Sequence, residues 1–93
     1  MFISKLEHLV LDLLSTRDAA YGLELVGASG GRLKRGSVYV TLGRMEEKGL
    51  VRSRLEGEPG EGPARRLYEA TALGKRALIV STLAAAIPLG ARR

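Results

Sequence analysis

The chain has 93 residues, no cysteine and one histidine, His8. That is one domain's length, and it excludes disulfides, thiolate metal sites and histidine-cluster metal sites, so no cofactor or metal is expected. Fifteen Lys+Arg against ten Asp+Glu give a net charge of +5, which favours an anionic partner and leaves the placement of the cations to say which. A domain this small buries a modest fraction of its surface, so self-association is the expected staple.

The opening MFISKLEHLVLDLLS is broken by Lys5, Glu7, His8 and Asp12, and reads as a helix rather than a secretory leader. No run approaches the roughly 18 apolar residues of a membrane span, so no membrane partner and a cytoplasmic location are expected. In residues 2–15, Phe2, Ile3, Leu6, Leu9, Val10, Leu13 and Leu14 keep the three-four rhythm of an amphipathic helix. His8 falls opposite that stripe with Lys5 and Asp12, and reads as a solvated surface residue rather than a ligand. A second helix runs from near Ala20 through Tyr21, Leu23, Leu25 and Val26 to about Ser29, and Gly30-Gly31 stop it.

The connector GGRLKRG delivers Arg32, Lys34 and Arg35 ahead of a third helix over about 37–48, with Gly36-Ser37 as its N-cap region and Gly49 as its stop. Val38, Leu42 and Met45 share the face expected to enter the core. The opposite face carries Ser37, Val40, Gly43 and Arg44, with Thr41 flanking and Tyr39 beside the core face. Small residues with one reaching cation suit close approach to a DNA groove. The acidic end, Glu46-Glu47, is expected to lie away from phosphate.

VRSRLE (51–56) alternates Val51, Ser53 and Leu55 inward with Arg52 and Arg54 outward, as a half-buried strand does. GEPGEGPA (57–64) is a loop whose Glu58 and Glu61 dilute the charge of the hairpin tip, and RRLYEA (65–70) is the returning strand. Thr71 is placed to cap a last helix over about 72–87, with Leu73, Ala77, Val80, Leu83, Ala84 and Ile87 in an apolar stripe. Pro88 and Gly90 follow it. Helix, helix, helix, hairpin, helix is a mostly α winged helix-turn-helix with a small β-hairpin wing. Residues 1–71 form the nucleic-acid-binding unit, and 72–93 a dimerisation helix and tail.

The residues also resemble a known family. SVYVTLGRMEEKGLVRSRLE (37–56) is similar to the recognition helix and first wing strand of the PadR-type transcriptional regulators. Tyr21-Gly22 followed by Glu24-Leu25 resembles the opening of their second helix, and GPARRLYEATALGKRAL (62–78) their second wing strand and last helix. Departures include Val40, where the family commonly has proline, and the little chain after the last helix, which groups the sequence with the short members. The resemblance implies a homodimeric repressor on double-stranded DNA, with a backbone contact from the Tyr39 hydroxyl. A partly buried packing tyrosine is the other reading of Tyr39.

The expected DNA-binding residues are Arg32, Lys34, Arg35, Ser37, Tyr39, Val40, Thr41, Arg44, Arg65 and Arg66, with Arg52 and Arg54 on the partner wing strand, and cross-strand salt bridges are the other reading of these four wing arginines. The expected dimer interface is Phe2, Leu6, Leu73, Ala77, Val80, Leu83, Ala84 and Ile87. A winged helix that docks on a protein and has lost DNA binding is the alternative, and four aromatics offer little for stacking RNA bases. Nothing resembles a catalytic triad or a phosphate-binding loop, so no enzyme is expected. No small-molecule effector is identified, and without tryptophan a flat aromatic-binding pocket is not expected.

Overall fold

The computed structural model describes residues 3–57 and 65–86. The elements are α1 (Lys5–Ser15), β1 (Ala20–Tyr21), α2 (Gly22–Ala28), α3 (Arg35–Glu47), β2 (Val51–Glu56), β3 (Arg65–Ala70) and α4 (Ala72–Ala86). The expected winged helix-turn-helix is present, with one addition. Two residues at β1 join the wing, giving an antiparallel sheet in the order β1-β3-β2. Ala20 pairs with Tyr68 and Tyr21 with Leu67, so the entry to α2 is stitched to the wing.

α1 starts after Ile3, because Ser4 and Glu7 form a capping box. The Glu7 amide donates to Ser4 Oγ at 3.1 Å, and the Ser4 amide donates to Glu7 Oε1 at 2.8 Å. The helix then buries Leu9, Val10, Leu11 and Leu14 against Leu25, Leu33, Val38, Leu42, Met45 and Leu50. Each such side chain contributes about 1.5–3 kcal/mol by leaving water, and together they hold α1–α3 as one body. Glu7 is drawn into the same packing, and Lys48 Nζ meets its Oε2 at 2.7 Å. Burial pushes the Glu7 carboxyl up, but the bonds from Lys48 and Ser4 outweigh it and hold it below the usual carboxylate range.

Several local expectations are corrected. α3 begins at Arg35 with Lys34 as N-cap, so Arg35 stands on the helix itself. Ser37 does not cap; its hydroxyl bonds the Lys34 carbonyl at 3.3 Å. His8 is half-buried rather than solvated, with Nδ1 2.8 Å from Ser81 Oγ of α4. Leu55 is 62% exposed although its strand alternation points it to the core side. Val51 at the base of the same face is buried, whereas the wing at Leu55 has run past the helices that could cover it.

α4 docks where α3 hands over to the wing. The Thr71 amide donates to the Leu50 carbonyl at 3.0 Å, its hydroxyl donates to the Gly49 carbonyl, and the Gly74 amide donates to Thr71 Oγ1 at 3.0 Å. Thr71 therefore caps α4 as expected. A Cβ on Gly74 would lie 2.0 Å from the Leu50 carbonyl oxygen, so only glycine permits this approach. The side of α4 facing the body is small, Gly74 and Ala77 being buried, while Ile79, Val80 and Leu83 point outward. Ala77 thus belongs to the core of its own chain rather than to an outward face. Phe2, Ile87, Glu58, Glu61, Pro88 and Gly90 lie outside the described residues.

Candidate nucleic-acid interface

The connector from α2 to α3 turns sharply through Gly30 and Gly31, at φ 63° and 86°, a region that favours glycine. Buried Ser29 staples it, its Oγ accepting from the Leu33 amide at 3.0 Å. Leu33 is thereby drawn into the core, and Arg32, Lys34 and Arg35 on either side of it are exposed. Arg32 Nε donates to the Ser29 carbonyl at 3.2 Å, which fixes its stem.

Along α3, Val38, Leu42 and Met45 are wholly buried, as their spacing requires. Gly36, Val40 and Arg44 are exposed, and Tyr39 and Val40 keep half or more of their surface. Thr41 departs from the expected face, because it is turned into the body and 8% exposed. Tyr39 leans toward the start of α2. A Cβ at Gly22 would sit 2.7 Å from its ring, so the absence of a side chain there gives the ring its seat. The Tyr21 amide next to it donates to Glu24 Oε1 at 2.8 Å, closing the first turn of α2.

The wing separates its four arginines by face. Arg52, Arg54 and Arg65 alternate on the outer face with Glu69, Leu67 and Glu56 directly across from them, while Arg66 pairs with Leu55 on the inner face. Arg52 Nε bonds Glu69 Oε1 at 2.6 Å and Arg54 Nε bonds Glu56 Oε1 at 2.8 Å. Hydrogen bonding to Arg52 holds the Glu69 carboxyl below its usual range. Arg65 lies over the Tyr21 ring, 4.1 Å from its centroid, in a cation–π contact. Among the described residues, Arg32, Lys34, Arg35, Arg44, Arg65 and Arg66 take part in no ion pair.

A cleft of about 420 Å³ opens between the start of α2, α3 and the wing, lined by Arg65 and Arg66, by the acidic Glu24, and by Tyr39, Leu55 and Tyr68 among others. Tyr68 is its buried floor, and burial pushes its phenol above the usual value. A larger cleft of about 970 Å³ opens on the opposite side, between the end of α1, the outer face of the wing and α4. Its Arg52 bonds Glu69, its Arg17 bonds the Leu13 carbonyl, and Lys75 also lines it. Arg32, Lys34, Arg35, Arg44, Arg65 and Arg66 lie on the connector, α3 and the wing, whereas Lys5, Arg17, Lys75 and Arg76, also outside the ion pairs, lie on α1, just after it and on α4.

The description "Transcriptional regulator PadR-like family" matches residues 10–79, most of the chain. The chain belongs to that family. A PadR family transcription regulator from Clostridium difficile R20291 is 30% identical, with a TM-score of 0.75 over 87% of this chain and 86% of that one. A PadR family transcriptional regulator from Eggerthella lenta DSM 2243 is 28% identical, with a TM-score of 0.70 over 86% of this chain and 75% of that one. Bacillus subtilis PadR, whose structure is a complex with operator DNA, shares the fold at 19% identity and a TM-score of 0.75. The match covers 85% of this chain and 47% of that longer protein. No curated protein matches the chain significantly. PadR-like proteins are transcription regulators, and among the described residues no helix is long and apolar enough to cross a membrane.

Proposed function

We propose that the protein is a sequence-specific double-stranded DNA-binding regulator that acts as a homodimer and represses transcription. One observation carries the DNA reading: Arg32, Lys34, Arg35, Arg44, Arg65 and Arg66, on the connector, α3 and the wing, take part in no ion pair, while Lys48, Arg52 and Arg54 are tied to carboxylates. Arg32 and Lys34 would reach phosphates beside the groove, with Arg35 and Ser37 in the first turn of α3, whose N-terminus favours anions. Gly36, Val40 and Gly43 let α3 approach the base edges, and Arg44 supplies a two-pronged donor. Tyr39, Arg65 and Arg66 would hold the backbone between α3 and the wing. Thr41 drops out of the set because it is buried.

Self-association is supported by the outer side of α4, where Leu73, Ile79, Val80 and Leu83 are exposed, together with Leu6 on α1. A second copy would present two recognition helices to a two-fold operator. Repression is the regulatory sense that the family resemblance supports.

The test is a gel shift on the DNA upstream of the protein's own gene. If about six phosphates are neutralised, affinity should fall by about a thousandfold from about 50 to about 200 mM salt. A folded, dimeric protein that binds no duplex at low salt overturns this reading in favour of a protein-docking winged helix. A promoter–reporter fusion should rise when the protein is deleted, and a fall would reverse the regulatory sense.

A further inference from the structure

Arg66 is held unlike the other wing arginines. It lies on the inner face, opposite Leu55, and its Nη1 donates to Ser53 Oγ at 3.0 Å. The same hydroxyl donates to Glu46 Oε2, in the last turn of α3, at 2.9 Å. A serine hydroxyl has one proton and two acceptor sites, so it can serve the carboxylate and the guanidinium together. Arg66 and Glu46 are therefore opposite charges one hydroxyl apart, and they do not meet. Tyr68, directly across from Ser53 in the sheet, lies within the field of both.

This arrangement matters because of the alternative open to the arginine. Each bond to the hydroxyl joins it to one ionised group, whereas a direct guanidinium–carboxylate contact joins two opposite charges and can be bidentate. With the hydroxyl removed, both groups lose their shared partner, and a flexible arginine can close the gap. An arginine neutralised in that way releases no counterion when DNA binds. The acidic end of α3 would then consume a charge that the wing presents.

We propose that Ser53 is a positioning residue that holds Arg66 out of an ion pair with Glu46 and so keeps one wing charge for a DNA phosphate. The inference rests on the DNA-binding reading above. Its test is the salt dependence of DNA affinity, with far-UV circular dichroism and thermal unfolding to show that each variant is folded. Each phosphate-neutralising cation contributes about 0.9 to the slope of log affinity against log salt. Arg66→Ala removes that increment directly. Ser53→Ala should lower the slope by the same increment although no charge has been deleted, and Ser53→Thr, which keeps the hydroxyl, should not.

The deciding variant is Ser53→Ala combined with Glu46→Gln. With the carboxylate gone Arg66 is released, so the slope should return to that of the wild type. A serine that merely supported the strand would show no such rescue. An unchanged slope in Ser53→Ala, or no recovery in the double variant, overturns the proposal. A crystal structure of Ser53→Ala should show Arg66 within 4 Å of Glu46, at ordinary ion-pair distance, and a wider separation also overturns it. A wild type that binds no duplex defeats the DNA-binding reading instead, and that crystal structure then decides the separating role by itself.

Discussion

α3 and α4 both turn one side to the core and leave the other exposed, yet the exposed sides are chemically opposite. α3 buries Val38, Leu42 and Met45 and shows glycine, Val40 and Arg44. α4 buries Gly74 and Ala77 and shows Leu73, Ile79, Val80 and Leu83. In α3 the large apolar residues serve the chain's own core, and the exposed side keeps mainly small ones and Arg44. In α4 the small residues let the helix lie against its own domain, and large ones are left exposed. An exposed face has to be judged by what its buried side already satisfies.

The harshest way to break the comparison is Gly74→Ala. The added methyl meets the Leu50 backbone and cannot be relieved by a side-chain rotation, so the cost should be about 3 kcal/mol or more, measured by urea unfolding. An unchanged midpoint would mean that α4 is not seated as described. Next is Val80→Glu with Leu83→Glu, which charges the outer side of α4 and leaves the core alone. Sedimentation should show a monomer, and losing one of two linked contacts should weaken operator binding by about a hundredfold.

Lys48→Ala sharpens the account of the body that both helices share. It leaves Glu7 buried without its cation, at a cost of about 1–3 kcal/mol at neutral pH. The pH dependence follows from the lowered Glu7 value. In the wild type the contribution is complete above the ordinary carboxylate value of 4.5, and it is lost as the pH falls through the lower value of the folded state. Thermal unfolding across that acid range should show the loss in the wild type and little of it in Lys48→Ala. The mildest change is Gly22→Ala, which crowds only the end of the Tyr39 ring. DNA affinity should fall about threefold to tenfold with the unfolding midpoint nearly unchanged, and adding Tyr39→Ala should cost little more.

Most of the fold was legible in the sequence, because three amphipathic periods and a glycine-rich hairpin loop leave few arrangements. β1 was not, since two residues cannot show an alternation. The rhythm at Leu55 was read correctly as a face and wrongly as burial, because alternation does not say where the covering layer ends. The start of α1 could have been found: Ser4-Lys5-Leu6-Glu7 has the capping-box spacing. At the candidate site, the placement of the cations along the chain was visible, but not which of them carboxylates hold. That depends on Arg52 standing opposite Glu69, a register that an eight-residue loop does not specify.

The Leu50 turn joins the end of α3, the first wing strand and the seat of α4. Its carbonyl takes the Thr71 amide and stands where any side chain at Gly74 would have to go. In mechanical terms the domain is a bell crank with its pivot locked. A torque applied along α4 is not absorbed at its base but is delivered to α3 and the wing together. An influence that reorients α4 is therefore expected to be felt at α3 and the wing, through the Leu50 turn that both adjoin.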